Sequence, residues 1–112
     1  MSLELAVVLT ACPPHAAEQL AELLVAQRLA ACVTALPGGQ STYRWQGAIQ
    51  REPETLLLIK VPRPAVAACV AALEAAHPYE VPEVVVLSAA EVSAAYLAWA
   101  FAACDLPSTR AP

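Results

Sequence analysis

The sequence predicts an α+β fold of the ferredoxin-like type, a β-α-β-β-α-β sandwich with an additional C-terminal helix. Two observations lead to this prediction. Short runs rich in leucine, valine or aromatic residues end at proline or glycine, and alanine-rich stretches with helical spacing of their larger apolar residues separate them. Residues 1–112 together have the size of a single domain with one hydrophobic core.

The first strand and the first helix meet at a proline pair. The run from Leu3 to Ala11 is rich in leucine and valine and ends at Cys12-Pro13-Pro14, which is typical of a buried strand. Proline is tolerated in the first turn of a helix, so the pair predicts a helix from about Pro14 to Leu29. Leucines at helical spacing give that helix one apolar face.

The second and third strands follow in the middle of the chain. Ala31–Leu36 predicts a strand that Pro37-Gly38-Gly39 interrupts and that resumes at Thr42–Trp45. Gln46-Gly47 then indicates a chain reversal. Glu54–Val61 is apolar on both faces, which predicts a central strand.

The last third of the chain predicts a helix, a strand and a further helix. Val66, Cys69, Val70 and Leu73 form an apolar stripe on a helix that ends near Ala76, because His77 precedes a proline. The remaining predicted elements are a strand at Val81–Leu87, a last helix with Tyr96–Phe101 that Ser88 or Ser93 caps, and a frayed tail over residues 105–112.

This order of elements fixes the neighbours in the sheet. The first and last strands lie side by side and antiparallel, the third strand flanks the first, and the second strand forms one edge. An exposed edge attracts partners, so we expect this edge to pair with a neighbouring subunit. The apolar fraction of 59% against 14% charged residues also favours burial between copies of the chain.

Composition excludes several classes of protein. A net charge of −4 with only six lysines and arginines argues against binding nucleic acid. No apolar run reaches the roughly 18 residues of a membrane span.

The first residues lack the features of a secretory signal, and four scattered cysteines without a C-x-x-C pair fit free thiols, so we expect a cytoplasmic protein. Motifs of common enzymes are absent, and Glu80 with Glu83 is a weak carboxylate pair, so we expect no enzymatic activity.

Polar chemistry is concentrated in the segment from Ala76 to Glu83. The predicted topology brings Cys12 and His77 to the same end of the sheet, and a thiolate with an imidazole suits copper or zinc. Cys12 precedes a helix start, which favours a lowered thiol pKa. The alternative is structural, because two ligands do not close a metal site: Cys12 then fills the core like Cys32, Cys69 and Cys104, and His77 ends a helix.

Aromatic and acidic residues give a second candidate site. Tyr43 and Trp45 fit interface anchors better than a platform for stacking bases, given the acidic charge of the chain. Tyr79 and Glu80 are placed to hydrogen-bond across a subunit boundary. The four residues together predict a cleft between subunits.

Five segments, in order and at compatible spacings, resemble motifs of the CutA divalent-cation tolerance proteins: Arg28–Val33, Pro37-Gly38, Tyr43–Gly47, His77–Glu83 and Tyr96–Trp99. The resemblance covers roughly Leu5 to Phe101. It implies a compact homotrimer, similar in architecture to the PII signalling proteins, with a role in tolerance of copper and other divalent cations. Of the ligands proposed in some members, only His77 carries over, because Thr10 and Ala76 stand where those members have cysteine and histidine.

Two functions follow from the residues and the resemblance. The first is a homotrimer that binds copper or another divalent cation through His77, with help from Cys12 or Glu80. The alternative is a PII-like regulatory or scaffolding trimer that binds a small ligand or a protein partner in clefts between subunits, lined by Tyr43, Trp45, Tyr79 and Glu80.

Overall fold

The fold is seen in a computed structural model that describes residues 4–107. The strands are β1 (Leu5–Cys12), β2 (Cys32–Trp45), β3 (Ala48–Pro62) and β4 (Val85–Ser88). The helices are α1 (Ala17–Ala26), α2 (Val66–Ala76) and α3 (Ala94–Ala103), and a short 3-10 turn precedes each of the first two. The predicted order of strands and helices is therefore confirmed.

The four strands form one antiparallel sheet in the order β2-β3-β1-β4. This arrangement confirms the predicted neighbours of β1 and the position of β2 at an edge. None of the helices within residues 4–107 has the length and hydrophobicity of a membrane span.

The main core lies between one face of the sheet and the helices α1 and α2. Alternate residues of β3 point to this face, and Leu57, Ile59 and Val61 are fully buried there against leucines of both helices. A second, smaller core forms where α3 packs over the Leu5 end of the other face, with Ala100 and Cys104 buried against it. The helices therefore cover the central part of one face of the sheet and only one end of the other face.

The rest of that second face carries apolar side chains that the protomer leaves partly or largely exposed. Residues paired across the strands point to the same side, which groups Val7, Leu9, Leu36, Leu56, Leu58, Val85 and Leu87. We call these seven residues the open sheet face. Leu36 and Leu87 are nearly half exposed, so the chain by itself does not bury this group of apolar side chains.

Several element boundaries differ from the prediction. The strand β3 begins at Ala48 and not at Glu54, because it pairs with β2 across a tight turn in which Gln46 and Gly47 both have positive φ. The strand β4 is shorter than Val81–Leu87, since the segment with Pro82 makes no ladder. Ser93 precedes α3 without a side-chain cap bond.

Three of the predictions concern the ends of the chain and the end of α1. The start of the predicted first strand at Leu3 and residues 108–112 of the predicted frayed tail lie outside the described residues. Just after α1, Arg28 adopts a left-handed φ of 58°, which is typical of a helix end. The helix therefore ends at Ala26, three residues before the predicted end at Leu29. Its guanidinium donates to the Ala103 carbonyl at 3.0 Å and lies 3.1 Å from the Asp105 carboxylate, which ties this turn to α3.

Candidate functional site

The loop between α2 and β4 begins at a histidine that the fold holds firmly. Pro78 forces His77 out of the helical conformation, to φ −66° and ψ 135°, so α2 ends at Ala76 as predicted. The turn presents the His77 ring to the end of β1. Only 7% of His77 is exposed.

Both nitrogens of the His77 ring have backbone partners. Nε2 lies 3.0 Å from the Ala11 carbonyl oxygen, which only accepts, so Nε2 carries the proton. Nδ1 accepts a hydrogen bond from the Tyr79 backbone N–H at 3.2 Å. The imidazole is therefore a neutral link between β1 and the loop, with no ring nitrogen left for another ligand.

Cys12 lies beside this link but points into the main core. Its thiol is fully buried and donates weakly to the Thr55 carbonyl oxygen at 3.7 Å. Burial, and then the negative charge of Glu54, raise the pKa of the Cys12 thiol. The prediction of a lowered pKa is wrong, because desolvation of the thiol outweighs the short helical turn that follows it. Within residues 4–107, no three His, Cys, Asp or Glu side chains are grouped to hold a metal.

A cleft of about 660 Å³ lies between the β2–β3 hairpin and the loop after His77. Its volume is within the usual range of small-molecule sites. The four residues predicted for a cleft, namely Tyr43, Trp45, Tyr79 and Glu80, all line it, together with residues that include Glu54 and Glu83. Tyr43 and Trp45 reach the same side because they are two positions apart on one strand.

Glu54 is a charged residue of this cleft to which the sequence patterns assign no functional role. It is only 7% exposed, and one carboxylate oxygen accepts a hydrogen bond of 2.6 Å from the Tyr79 hydroxyl. Glu54 pairs with Gly39 just after the bulge in β2, and a Cβ atom at Gly39 would lie 2.9 Å from the Glu54 carbonyl oxygen. The Gly-Gly break therefore lets β2 come close to Glu54. A lone glutamate at the start of an apolar strand, opposite that break, was the available signal.

Comparison with known proteins decides the family. The family model described as CutA1 divalent ion tolerance protein matches residues 6–103. The chain belongs to the CutA family of divalent-cation tolerance proteins. The CutA of Thermus thermophilus is 42% identical over 97 residues, which span 87% of this chain and 94% of the relative.

Solved CutA structures share the fold. The crystal structure of CutA from Xylella fastidiosa has a TM-score of 0.88 and 41% identity, over 90% of this chain and 98% of that one. The PII-like protein CutA from Nostoc sp. has a TM-score of 0.84 and 31% identity, over 88% and 96%. The resemblance drawn from the sequence motifs, and the PII-like character of the fold, are confirmed.

The contact between Tyr79 and Glu54 predicts how the stability of this CutA-family chain changes at alkaline pH. Desolvation of the phenol, and then the hydrogen bond to Glu54, raise the Tyr79 pKa well above the ordinary value of 10.0. Above pH 10 the phenol loses its proton in the unfolded chain but keeps it in the folded one, so stability falls as the pH rises. We expect Tyr79→Phe to remove the last-titrating phenol from absorbance at 295 nm and to flatten this loss of stability.

The matched control for this titration is Tyr43→Phe, because Tyr43 also lines the cleft but has no hydrogen bond to Glu54. If Tyr43→Phe and Tyr79→Phe change the alkaline titration curve in the same way, Tyr79 does not have the raised pKa.

Proposed function

We propose that this CutA-family chain is a non-enzymatic, PII-like homotrimer that binds a small ligand in the cleft between the hairpin and the loop after His77. The observation that supports it is that Tyr43, Trp45, Tyr79 and Glu80 lie around one cleft with the buried Glu54 at its wall. A cytoplasmic location is part of the proposal and is supported by four unpaired cysteines.

The shape of the protomer supports assembly. The described residues extend 55 Å along their longest axis, and their radius of gyration is 15.1 Å, against about 13 Å for a compact domain of 100 residues. The hairpin contributes to this length, because β3 pairs with β1 only from Thr55 to Pro62, and before Thr55 its one neighbouring strand is β2. A projecting ribbon next to an apolar open sheet face is the shape expected of a subunit whose cleft meets a neighbouring subunit.

Measurement of the mass in solution tests the assembly. We expect light scattering or sedimentation equilibrium at micromolar concentration to give three times the 11.7 kDa of one chain. A mass equal to a single chain would contradict the trimer and the placement of the cleft at a subunit boundary.

The family description implies a divalent cation, and the sequence motifs suggest copper. Imidazole and thiolate suit copper, but the His77 nitrogens are both engaged and the Cys12 thiol has a raised pKa in the core. As folded, the two side chains do not fit a copper site. Glu80 and Glu83 of the cleft offer oxygen ligands, which suit a harder divalent cation held weakly with water.

A copper titration tests whether His77 and Cys12 bind copper. We expect His77→Ala and Cys12→Ser to bind copper with the same stoichiometry and affinity as the unmodified protein in calorimetry. His15→Ala is the matched control, because His15 is an exposed histidine close to the same end of the sheet. Loss of a binding site in His77→Ala, with no loss in His15→Ala, would restore the copper site that the sequence suggested.

A further inference from the structure

We propose that the cleft selects a small organic cation that carries an ammonium group, held between its aromatic rings and its carboxylates. This inference rests on the proposed function only in taking the cleft as the binding site. It adds the chemical class of the ligand.

The charge of the cleft has one sign. Its lining includes Glu54, Glu80 and Glu83 and, within residues 4–107, no lysine, arginine or histidine. Glu52 also acts electrostatically on Tyr79 from the same side of the hairpin. Such a lining attracts a cation and repels phosphates and carboxylates.

Glu54 is a buried carboxylate at the wall of the cleft. A carboxylate that is more than nine-tenths buried is usually paired with a positive charge, because desolvation of an unpaired charge costs several kcal/mol. The Glu54 carboxylate accepts a hydrogen bond from the Tyr79 hydroxyl, and none of the described side chains that line the cleft is a cation. A cation bound in the cleft would provide Glu54 with a counter-charge.

The aromatic residues distinguish an organic cation from a metal ion. Tyr43, Trp45 and Tyr79 line the cleft with a large part of each side chain exposed. Aromatic rings attract ammonium groups through their negative faces and contact the attached methyl or methylene groups as well. A hard divalent cation would bind through the oxygen atoms of Glu80 and Glu83 and through water, and it would leave the three ring faces without a partner.

A guanidinium group from a neighbouring subunit has the same chemistry. Arg44 and Arg51 lie on the opposite side of the hairpin from Tyr43 and Trp45, because successive side chains of a strand point to opposite sides. They therefore point away from the cleft of their own chain, and they are the arginines to test for contact with the cleft of a neighbour. The experiment therefore has to distinguish a free ligand from an arginine that reaches the cleft of the next subunit.

The test uses the full-length assembled protein with the Trp99→Phe substitution, so that the fluorescence reports on Trp45 alone. The probes are choline, spermidine and butylammonium, with 3,3-dimethylbutan-1-ol as the uncharged analogue of choline. We expect at least one ammonium probe to change the emission saturably, and the uncharged analogue to bind at least tenfold more weakly.

Two variants locate the interaction. We expect Glu54→Gln, which keeps an oxygen for the Tyr79 hydroxyl, and Glu80→Gln, which is at an exposed position, each to weaken binding about tenfold. Glu91→Gln is the control, because Glu91 is exposed and does not line the cleft. Equal binding of the uncharged analogue, or unchanged affinity in both cleft variants, would overturn the proposal.

Absence of binding by all three ammonium probes would also overturn it, as would binding that appears only after Arg44→Ala or Arg51→Ala. The mass measurement keeps this result separate from the proposed function. A trimer that binds none of the probes refutes the ligand class alone, whereas a single chain in solution refutes the assembly.

Discussion

Replacement of Leu58 by arginine is expected to convert the proposed trimer into single chains that remain folded. Leu58 lies at the centre of the open sheet face, where it pairs with Leu9 on one side and Thr34 on the other. An unpaired charge buried between subunits costs several kcal/mol, while in a free protomer the arginine reaches water. The measurement is the mass in solution, with circular dichroism to confirm that the protomer keeps its fold.

The neighbouring residue provides the control, because alternate residues of β3 point to opposite faces. Leu57 is fully buried against α1 and α2. We expect Leu57→Ala to reduce the free energy of unfolding by about 2–5 kcal/mol through the cavity that it leaves, and to keep the mass of the unmodified protein. If Leu58→Arg keeps the mass of the unmodified protein, the open sheet face is not the surface that subunits share.

Replacement of His77 by alanine is expected to lower the free energy of unfolding by about 2 kcal/mol. The substitution leaves the Ala11 carbonyl without its partner at a buried position, and an unsatisfied buried group costs roughly 1–3 kcal/mol. It also releases the Tyr79 backbone N–H and with it the anchor of the cleft loop. Denaturant unfolding at equal protein concentration measures this loss.

His15→Ala is again the control, since the exposed His15 ring has no comparable pair of bonds to lose. Because His77 anchors Tyr79, we expect His77→Ala also to weaken any ligand that binds in the cleft, although His77 itself is not among the lining residues. A His77→Ala protein as stable as His15→Ala would show that the imidazole is not the link described above.

The sequence was sufficient for the topology because apolar patterning and prolines determine it. The proline pairs that end β1 and β3, and the proline after His77, are local signals that require no tertiary information. The sequence does not predict the first part of β3. Gln50 to Pro53 are polar or lack the features of a strand, and they belong to the strand only because they pair with β2 beyond the bulge.

The site was predictable in part. Residue type alone predicts a cleft with Tyr43, Trp45, Tyr79 and Glu80, and the fold brings these four residues around one cleft. Glu54 was read only as the first residue of a strand, since its burial depends on how closely Gly39 lets β2 approach it. The prediction of a lowered pKa for Cys12 was wrong for a reason that the sequence does not contain. The Cys12 side chain points into the core, so desolvation and not the following helix end controls the pKa of its thiol.

The projecting part of the hairpin has a consequence for dynamics. Between Gly39 and Pro53 its two strands hydrogen-bond only to each other, and an isolated two-stranded ribbon is barely stable in water. In a dilute, dissociated chain its amide protons should therefore exchange with deuterium within seconds, while those of β1 remain protected. Slow exchange in the ribbon at higher concentration would then give a direct reading of how long neighbouring chains stay together.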